Sequence, residues 1–208
     1  MLASEKAIKD KLMEDTADLK KISKIDEHVA CAISGIIADS HVLIRHARFQ
    51  AKNHWFSFNE LMPVKSIVNC ISDLSLQFSG IRTEEKQMSR PFGVSMLVGG
   101  VTDREGPVLV STDPSGTIRS WNAAAFGAGH ECATNELEKQ YKADMTLKDA
   151  CLLALQILRQ VMEHKIADSS VHLCIIPTST KQVTFIEGKE LQDLIDELPA
   201  NTDCIRID

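Results

Sequence analysis

Apolar positions change period several times along the chain, and each change predicts an element. Val29 to Ser34 is a short apolar run ending at Gly35, as expected of a strand. From Ile36 to about Asn53 the apolar positions Ile36, Ile37, Leu43, Ile44, Ala47 and Ala51 follow helical spacing, with Arg45, His46 and Arg48 left to other faces. A second helix is predicted from Pro63, a residue suited to a first helical turn. Its stripe of Val64, Ile67, Val68, Ile71, Leu74 and Phe78 stops near Gly80. Residues 81–89 are polar and charged, so they read as a surface loop. Then Phe92 to Val101 is an almost unbroken apolar run, the pattern of a strand buried on both faces. Asp103-Arg104-Glu105-Gly106-Pro107 is a turn cluster, and the residues from Pro107 to Thr112 make a second strand, giving a hairpin. Asp113-Pro114-Ser115-Gly116 supplies another tight turn, with Pro fixing φ and Gly accepting a positive φ.

The remaining pattern is helix, helix, strand, strand, helix. Glu131 to Lys142 is a short helix candidate, and a clearer one begins at Thr146. There Thr146-Leu147-Lys148-Asp149 has the form of a capping box, with Asp in place of the preferred Glu. Leu147, Ala150, Cys151, Ala154, Ile157, Leu158 and Val161 mark one face of that helix. Val171 to Ile176 reads as a strand, with Val183 to Ile186 as its partner across Thr178-Ser179-Thr180-Lys181. Leu191, Leu194, Ile195 and Leu198 give a last amphipathic helix stopped by Pro199, and residues 200–208 are expected to be a flexible tail. The expected order is one strand, two helices, about four strands, two helices, two strands and a helix. Helices arriving in sequential pairs between runs of strands suit an α+β, four-layer αββα sandwich and not a doubly wound sheet. No repeat or linker divides residues 1–208, so a single domain is expected.

Composition narrows the function classes. A net charge of -6 and an aromatic content of 5% offer neither the basic stripe nor the stacking surface of a nucleic-acid binder. No apolar run approaches the ~20 residues of a membrane span, and the charged opening MLASEKAIKDKLMED does not read as a signal peptide. The six cysteines, Cys31, Cys70, Cys132, Cys151, Cys174 and Cys204, are scattered, without C-x-x-C or metal spacing. They read as reduced cysteines of an intracellular protein. No cofactor or metal is expected.

The ordered landmarks Arg90-Pro91-Phe92-Gly93-Val94, Gly106-Pro107, Asp113-Pro114-Ser115-Gly116-Thr117 and Gly127-Ala128-Gly129 resemble those of the α-type subunits of the proteasome core particle. The resemblance runs from about Glu5 to Leu198. It includes Asp26, His28-Val29-Ala30-Cys31-Ala32-Ile33-Ser34-Gly35 and Ile36-Ile37-Ala38-Asp39-Ser40. Gln50-Ala51-Lys52-Asn53-His54-Trp55-Phe56, Leu76-Gln77-Phe78, Met88-Ser89-Arg90 and Leu158-Arg159-Gln160-Val161-Met162-Glu163 look most like the fifth α type. The family's opening helix and first strand, with a YDRG-type tail and an F-Q-V-E-Y-A motif, have no counterpart. By this resemblance the chain is expected to begin inside the family's second strand and to be N-terminally shortened. The fold implied is that of the N-terminal-nucleophile hydrolases, lacking that helix and strand.

The resemblance implies a non-catalytic subunit of the α ring, serving assembly, gating and the docking of regulatory particles in ubiquitin-dependent protein degradation, in cytoplasm and nucleus. Expected partners are neighbouring α subunits, β-ring subunits and the C-terminal tails of regulatory particles, with no nucleic acid or membrane. The lysine that meets an incoming tail carboxylate corresponds to Lys21, with Gly35 and Ile36 as nearby backbone and apolar wall. An ammonium point charge is a good partner for a mobile terminal carboxylate. The β-type relatives instead cut peptide bonds with an N-terminal threonine whose own amine is the base. Here Lys21 matches their active-site lysine and Glu5 its acidic partner, but the chain opens Met1-Leu2-Ala3-Ser4, and Ala128 stands where they keep a serine. Asp168 and Ser169 read as a turn. An active N-terminal-nucleophile hydrolase, and a shortened α-like protein that self-assembles without gating, are the alternatives. Cys31 with His28 or His172, and His41 with His46, read as core or surface residues and not as a thiol-imidazole pair or metal ligands. The glycine pairs lack phosphate-cradle spacing.

Overall fold

Among the described residues, three strands precede the first helix: β1 (Leu2–Glu5), β2 (Ile22–Asp26) and β3 (Val29–Gly35). Helices α1 (Ile37–Phe58) and α2 (Val64–Ser75) follow, α2 running into a 3-10 turn at Leu76–Ser79. Next come β4 (Val94–Thr102), β5 (Gly106–Thr112) and β6 (Ile118–Ser120), then α3 (His130–Gln140) and α4 (Leu147–Val161). Strands β7 (Val171–Ile175) and β8 (Thr184–Ile186) and helix α5 (Lys189–Asp196) complete the order. This is a computed structural model, and it describes residues 1–6, 20–79, 90–162, 166–167 and 170–199. The expected loop at 81–89 and tail at 200–208 lie outside the described residues.

Two compact units are present: Met1–Ile22, Ala123–Ile175 and Thr184–Asp208 in one, Ser23–Asn122 and Ile176–Val183 in the other. The second is built on a five-stranded sheet of order β2-β3-β4-β5-β6. Its central strand β4 pairs antiparallel with both neighbours, Val98 lying opposite Cys31 on one side and Val110 on the other. Ala47 and Ala51 of α1 and Val64, Ile67, Val68 and Ile71 of α2 are fully buried against Val29, Cys31, Val98 and Val110 of the sheet. Gly100 is needed there, because a Cβ would lie 2.7 Å from Val64 Cγ2 and 2.9 Å from the His28 carbonyl. The β4–β5 turn also serves α2 directly: the Glu105 carboxylate accepts the Val64 N–H at 3.1 Å, satisfying a free donor at the positive end of the helix. The ring of His28, wholly buried, donates from Nε2 to the Met62 carbonyl at 2.9 Å, which ties the start of β3 to the α1–α2 connection.

The other unit carries the antiparallel sheet β1-β7-β8, with Ser4 opposite His172 and Leu173 opposite Ile186. Leu155 of α4 and Leu191 of α5 bury completely or nearly so against Val171 and Leu173. Helix α3 seats on α4 through Ala133, Leu153 and Ile157. Gly129, which caps α3, has Val161 so near that a Cβ would sit 2.0 Å from Cγ1. Thr146 caps α4 as its spacing predicts, its Oγ1 accepting the Asp149 N–H at 3.2 Å. The shorter Asp149 does not reach back to the backbone N–H of a full capping box. Its carboxylate accepts the Thr146 hydroxyl instead, at 2.7 Å. Thr146→Ala should therefore cost about 1 kcal/mol, the usual value of such a cap, read as a lowered midpoint in urea unfolding.

Paired helices between antiparallel runs make the chain α+β, as the element order predicts. The strand count differs. Among the described residues two strands, β1 and β2, precede β3 where the apolar pattern gave none, and three lie between the helix pairs in place of about four. Neither β1 nor β2 alternates: the buried positions of β2, Ile22, Ile25 and Asp26, follow the i, i+3, i+4 spacing of a helix face and not the period of a strand. Helix α1 runs on past Asn53 to Phe58, where Asn59 in the left-handed region (φ 52°) donates its N–H to the Trp55 carbonyl. Its last turns carry exposed aromatics, so no apolar stripe marks them.

Candidate functional site

The strand β3 ends and α1 begins at a backbone crossing with Gly93. Gly35 has φ +118°, and a Cβ there would stand 2.3 Å from the Gly93 carbonyl oxygen. That carbonyl accepts the Ile36 N–H at 2.8 Å. On the other side Gly93 lies under Ile36, whose Cδ1 would be 2.6 Å from any Cβ. Gly35 is thus required by close approach to backbone and by its conformation, while a side chain at Gly93 would only push aside the end of Ile36. The result displays Ile36 half exposed (50%) on a rigid support.

Asp39, buried in the first turn of α1, locks this crossing. Its carboxylate accepts two hydrogen bonds from the Arg90 guanidinium, at 2.6 and 2.8 Å, and the Gly93 N–H at 2.9 Å. Three charge-assisted donors favour the ionised form. Chiefly through the Arg90 hydrogen bonds, with the Gly93 N–H next, the carboxyl is held down at about 2. Asp39 and Arg90 both stand among the landmark residues, but their pairing across 51 positions was invisible in the sequence. Asp39 and Arg90 fix the shape around Ile36; a carboxylate so fully engaged is neither a base nor a nucleophile.

Lys21 stands immediately before β2, and Glu5 ends β1. The Lys21 ammonium is 3.9 Å from Glu5 Oε2, each side chain about one-third exposed (33% and 36%). Among the three residues expected to receive a tail, then, Gly35 and Ile36 meet at the Gly93 crossing. Lys21, which belongs to the other compact unit, meets Glu5.

Other candidates lie apart from this chemistry. Ala128 is exposed in the loop before α3, beside Gly127 at φ +121°. Asp168 and Ser169 lie outside the described residues. Cys31 is buried in β3, its thiol donating to the Ser23 carbonyl at 3.5 Å, while the His28 ring is engaged with Met62. His41 and His46 both ride on α1, where burial pushes the His46 imidazole down from its ordinary value. Among the described residues no three His, Cys, Asp or Glu side chains gather as metal ligands.

Comparison with known proteins accounts for this arrangement. A family model described as "Proteasome subunit" matches residues 1–176. "Proteasome subunit alpha type-5" of Trypanosoma brucei brucei is 42% identical over 196 residues, covering 94% of this chain and 79% of that protein. The protein of the same name from Dictyostelium discoideum is 40% identical over 199 residues, 95% of this chain and 82% of its own length. A "Probable proteasome subunit alpha type-5" of Schizosaccharomyces pombe is 44% identical over 174 residues, 83% and 70% of the two chains.

Proposed function

We propose a role for this chain from the premise that it belongs to the proteasome subunit family, as a member similar to the fifth α type: it is a non-catalytic structural subunit of the α ring. In that ring it contributes to assembly, to restricting substrate entry and to docking of regulatory particles. Its immediate partners are neighbouring α subunits and the β ring, and its setting the cytoplasm and nucleus. The buried thiols of Cys151 and Cys174 suit such a reducing setting.

One observation carries the assembly role. The chain has only two Trp, one Tyr and seven Phe. Yet Phe49, Trp55, Phe56 and Phe58 all lie exposed on the second half of α1, Phe56 at 87%. Trp55 also walls a groove of about 330 Å³ with Leu61, Pro63, Thr102 and Arg104. So many exposed aromatic side chains on one stretch of helix, with Trp55 and Phe56 in edge contact, are costly in water and suit a protein interface. A subunit of a family whose members assemble has an evident use for it. Native mass spectrometry of the chain expressed with its companion subunits should show it in a mixed ring. Phe56→Ser should leave the isolated chain's stability within about 0.5 kcal/mol while reducing its incorporation. A monomer or a homo-ring only would refute the proposal, and so would covalent capture of this chain by a threonine-directed epoxyketone.

The tail-docking role rests on Lys21. A partly exposed ammonium just before a strand can take a terminal carboxylate. Lys21→Ala in assembled core particles should weaken binding of a free-carboxylate tail peptide about five- to tenfold, the worth of one charge-assisted contact in partial solvent. Fluorescence anisotropy with a labelled peptide reads it directly, and an unchanged affinity would remove Lys21 from the role.

A further inference from the structure

The partner that Lys21 already has suggests how its affinity for a tail is set. Glu5 Oε2 lies 3.9 Å from the Lys21 ammonium. That is beyond hydrogen-bond length but well within ion-pair reach. The ammonium therefore keeps its N–H donors for a third group, while an anion approaching it also approaches Glu5. We infer that Glu5 is the resting counter-ion of Lys21 and acts as a built-in competitor, lowering the site's affinity for carboxylates. The inference rests on the tail-docking reading of Lys21 and deepens it: it names a residue that sets the strength of that contact without touching the ligand's apolar part.

The sign follows from the charges. The negative charge of Glu5 offsets part of the Lys21 charge, and a second carboxylate at hydrogen-bond distance from Lys21 sits within about 7 Å of the first, a repulsion only partly screened at this exposure. Against this, Glu5 helps hold the lysine stem in place, a small contribution for a pair one-third exposed and beyond hydrogen-bond length. Repulsion wins. The backbone is not at stake, since Glu5 is held in β1 by its main-chain pairing opposite Val171. Glu5→Gln keeps the shape and removes only the charge.

The test uses assembled core particles carrying this chain and two versions of one tail peptide, one with a free C-terminal carboxylate and one with a C-terminal amide. Glu5→Gln should tighten binding of the free-acid peptide about three- to fivefold at low ionic strength, the gain shrinking as salt is raised. The amide should bind both proteins alike. Glu5→Asp, which restores the charge, should return the affinity toward that of the unaltered chain. A free-acid affinity that Glu5→Gln leaves unchanged or weakens overturns the inference, and so does an equal gain for the amide. Lys21→Ala separates the two levels. If it weakens tail binding while Glu5→Gln gives no gain, Glu5 is no competitor and the docking reading stands; if it has no effect, the docking reading fails and this inference fails with it.

Discussion

Gly35→Ala should destabilise the chain by roughly 3–5 kcal/mol, the largest effect expected of any single methyl group added to it. Two costs coincide. At φ +118° a non-glycine residue is strained by about 1–3 kcal/mol. The new Cβ would also stand 2.3 Å from the Gly93 carbonyl oxygen and 3.1 Å from the Val94 Cα, both of them backbone that cannot turn aside. Relief requires β3 and β4 to part where Gly35 pairs with Val94. That would also break the Ile36 N–H bond to Gly93. Chemical denaturation of the purified variant would show the loss. A change under 1 kcal/mol would mean that the crossing is looser than described. By contrast, Gly106 and Gly188 have open space where a Cβ would be, so their alanine variants should pay only for the positive φ.

Asp39→Ala should cost about 2–3 kcal/mol, because it leaves the Gly93 N–H without its acceptor and removes both Arg90 hydrogen bonds. The loss stays below that of a fully buried ion pair, since the Arg90 side chain is 60% exposed and regains water. The same pair makes stability depend on acid. The Asp39 carboxyl is held at about 2 in the folded chain, against an ordinary value of 3.8, so folding favours the deprotonated form. Its contribution is fully present above about pH 4 and is lost as the pH falls toward about 2, because the unfolded chain takes up the proton first. Discounted for the exposed guanidinium, that contribution is about 1–2 kcal/mol. Unfolding midpoints measured from pH 5 down to pH 2 should therefore fall more steeply for the unaltered chain than for Asp39→Ala. Parallel curves would refute the assignment.

What could be read from the sequence, and what could not, divides along the range of the interaction. The β4–β5 hairpin, the Asp113–Gly116 turn and the Thr146 cap are local: each depends on neighbours a few positions away. All three are present, the turn closed by the Gly116 N–H on the Asp113 carbonyl at 2.9 Å. The apolar pattern did not reveal strand β1, expected from the family likeness alone, because its residues, LASE, are ordinary until β7 supplies the partner. The end of α1 escaped notice because its aromatics face outward, so the helical stripe fades before the helix does. At the site, the family likeness pointed to Lys21, Gly35 and Ile36. The Asp39–Arg90–Gly93 lock that holds two of them could not be seen, since a carboxylate and a guanidinium 51 positions apart carry no pattern until the chain is folded.

The two sheets also mature on different schedules. All five strands around β4 lie between Ile22 and Ser120, with each neighbour in the sheet also next in sequence. That core can close while the chain is still being made. Strand β1 cannot: its partner β7 lies near the other end, with Ser4 opposite His172. At translation speeds of ~5–20 residues per second, the roughly 170 residues between them keep β1 waiting on the order of ten to thirty seconds after it leaves the ribosome. Closing so long a loop also makes the β1–β7 ladder a late event in refolding. During that interval an unpaired edge strand stands open to other chains, so the residues of β1 are among the last to be protected, and dilution or a chaperone should raise the yield of refolded chain.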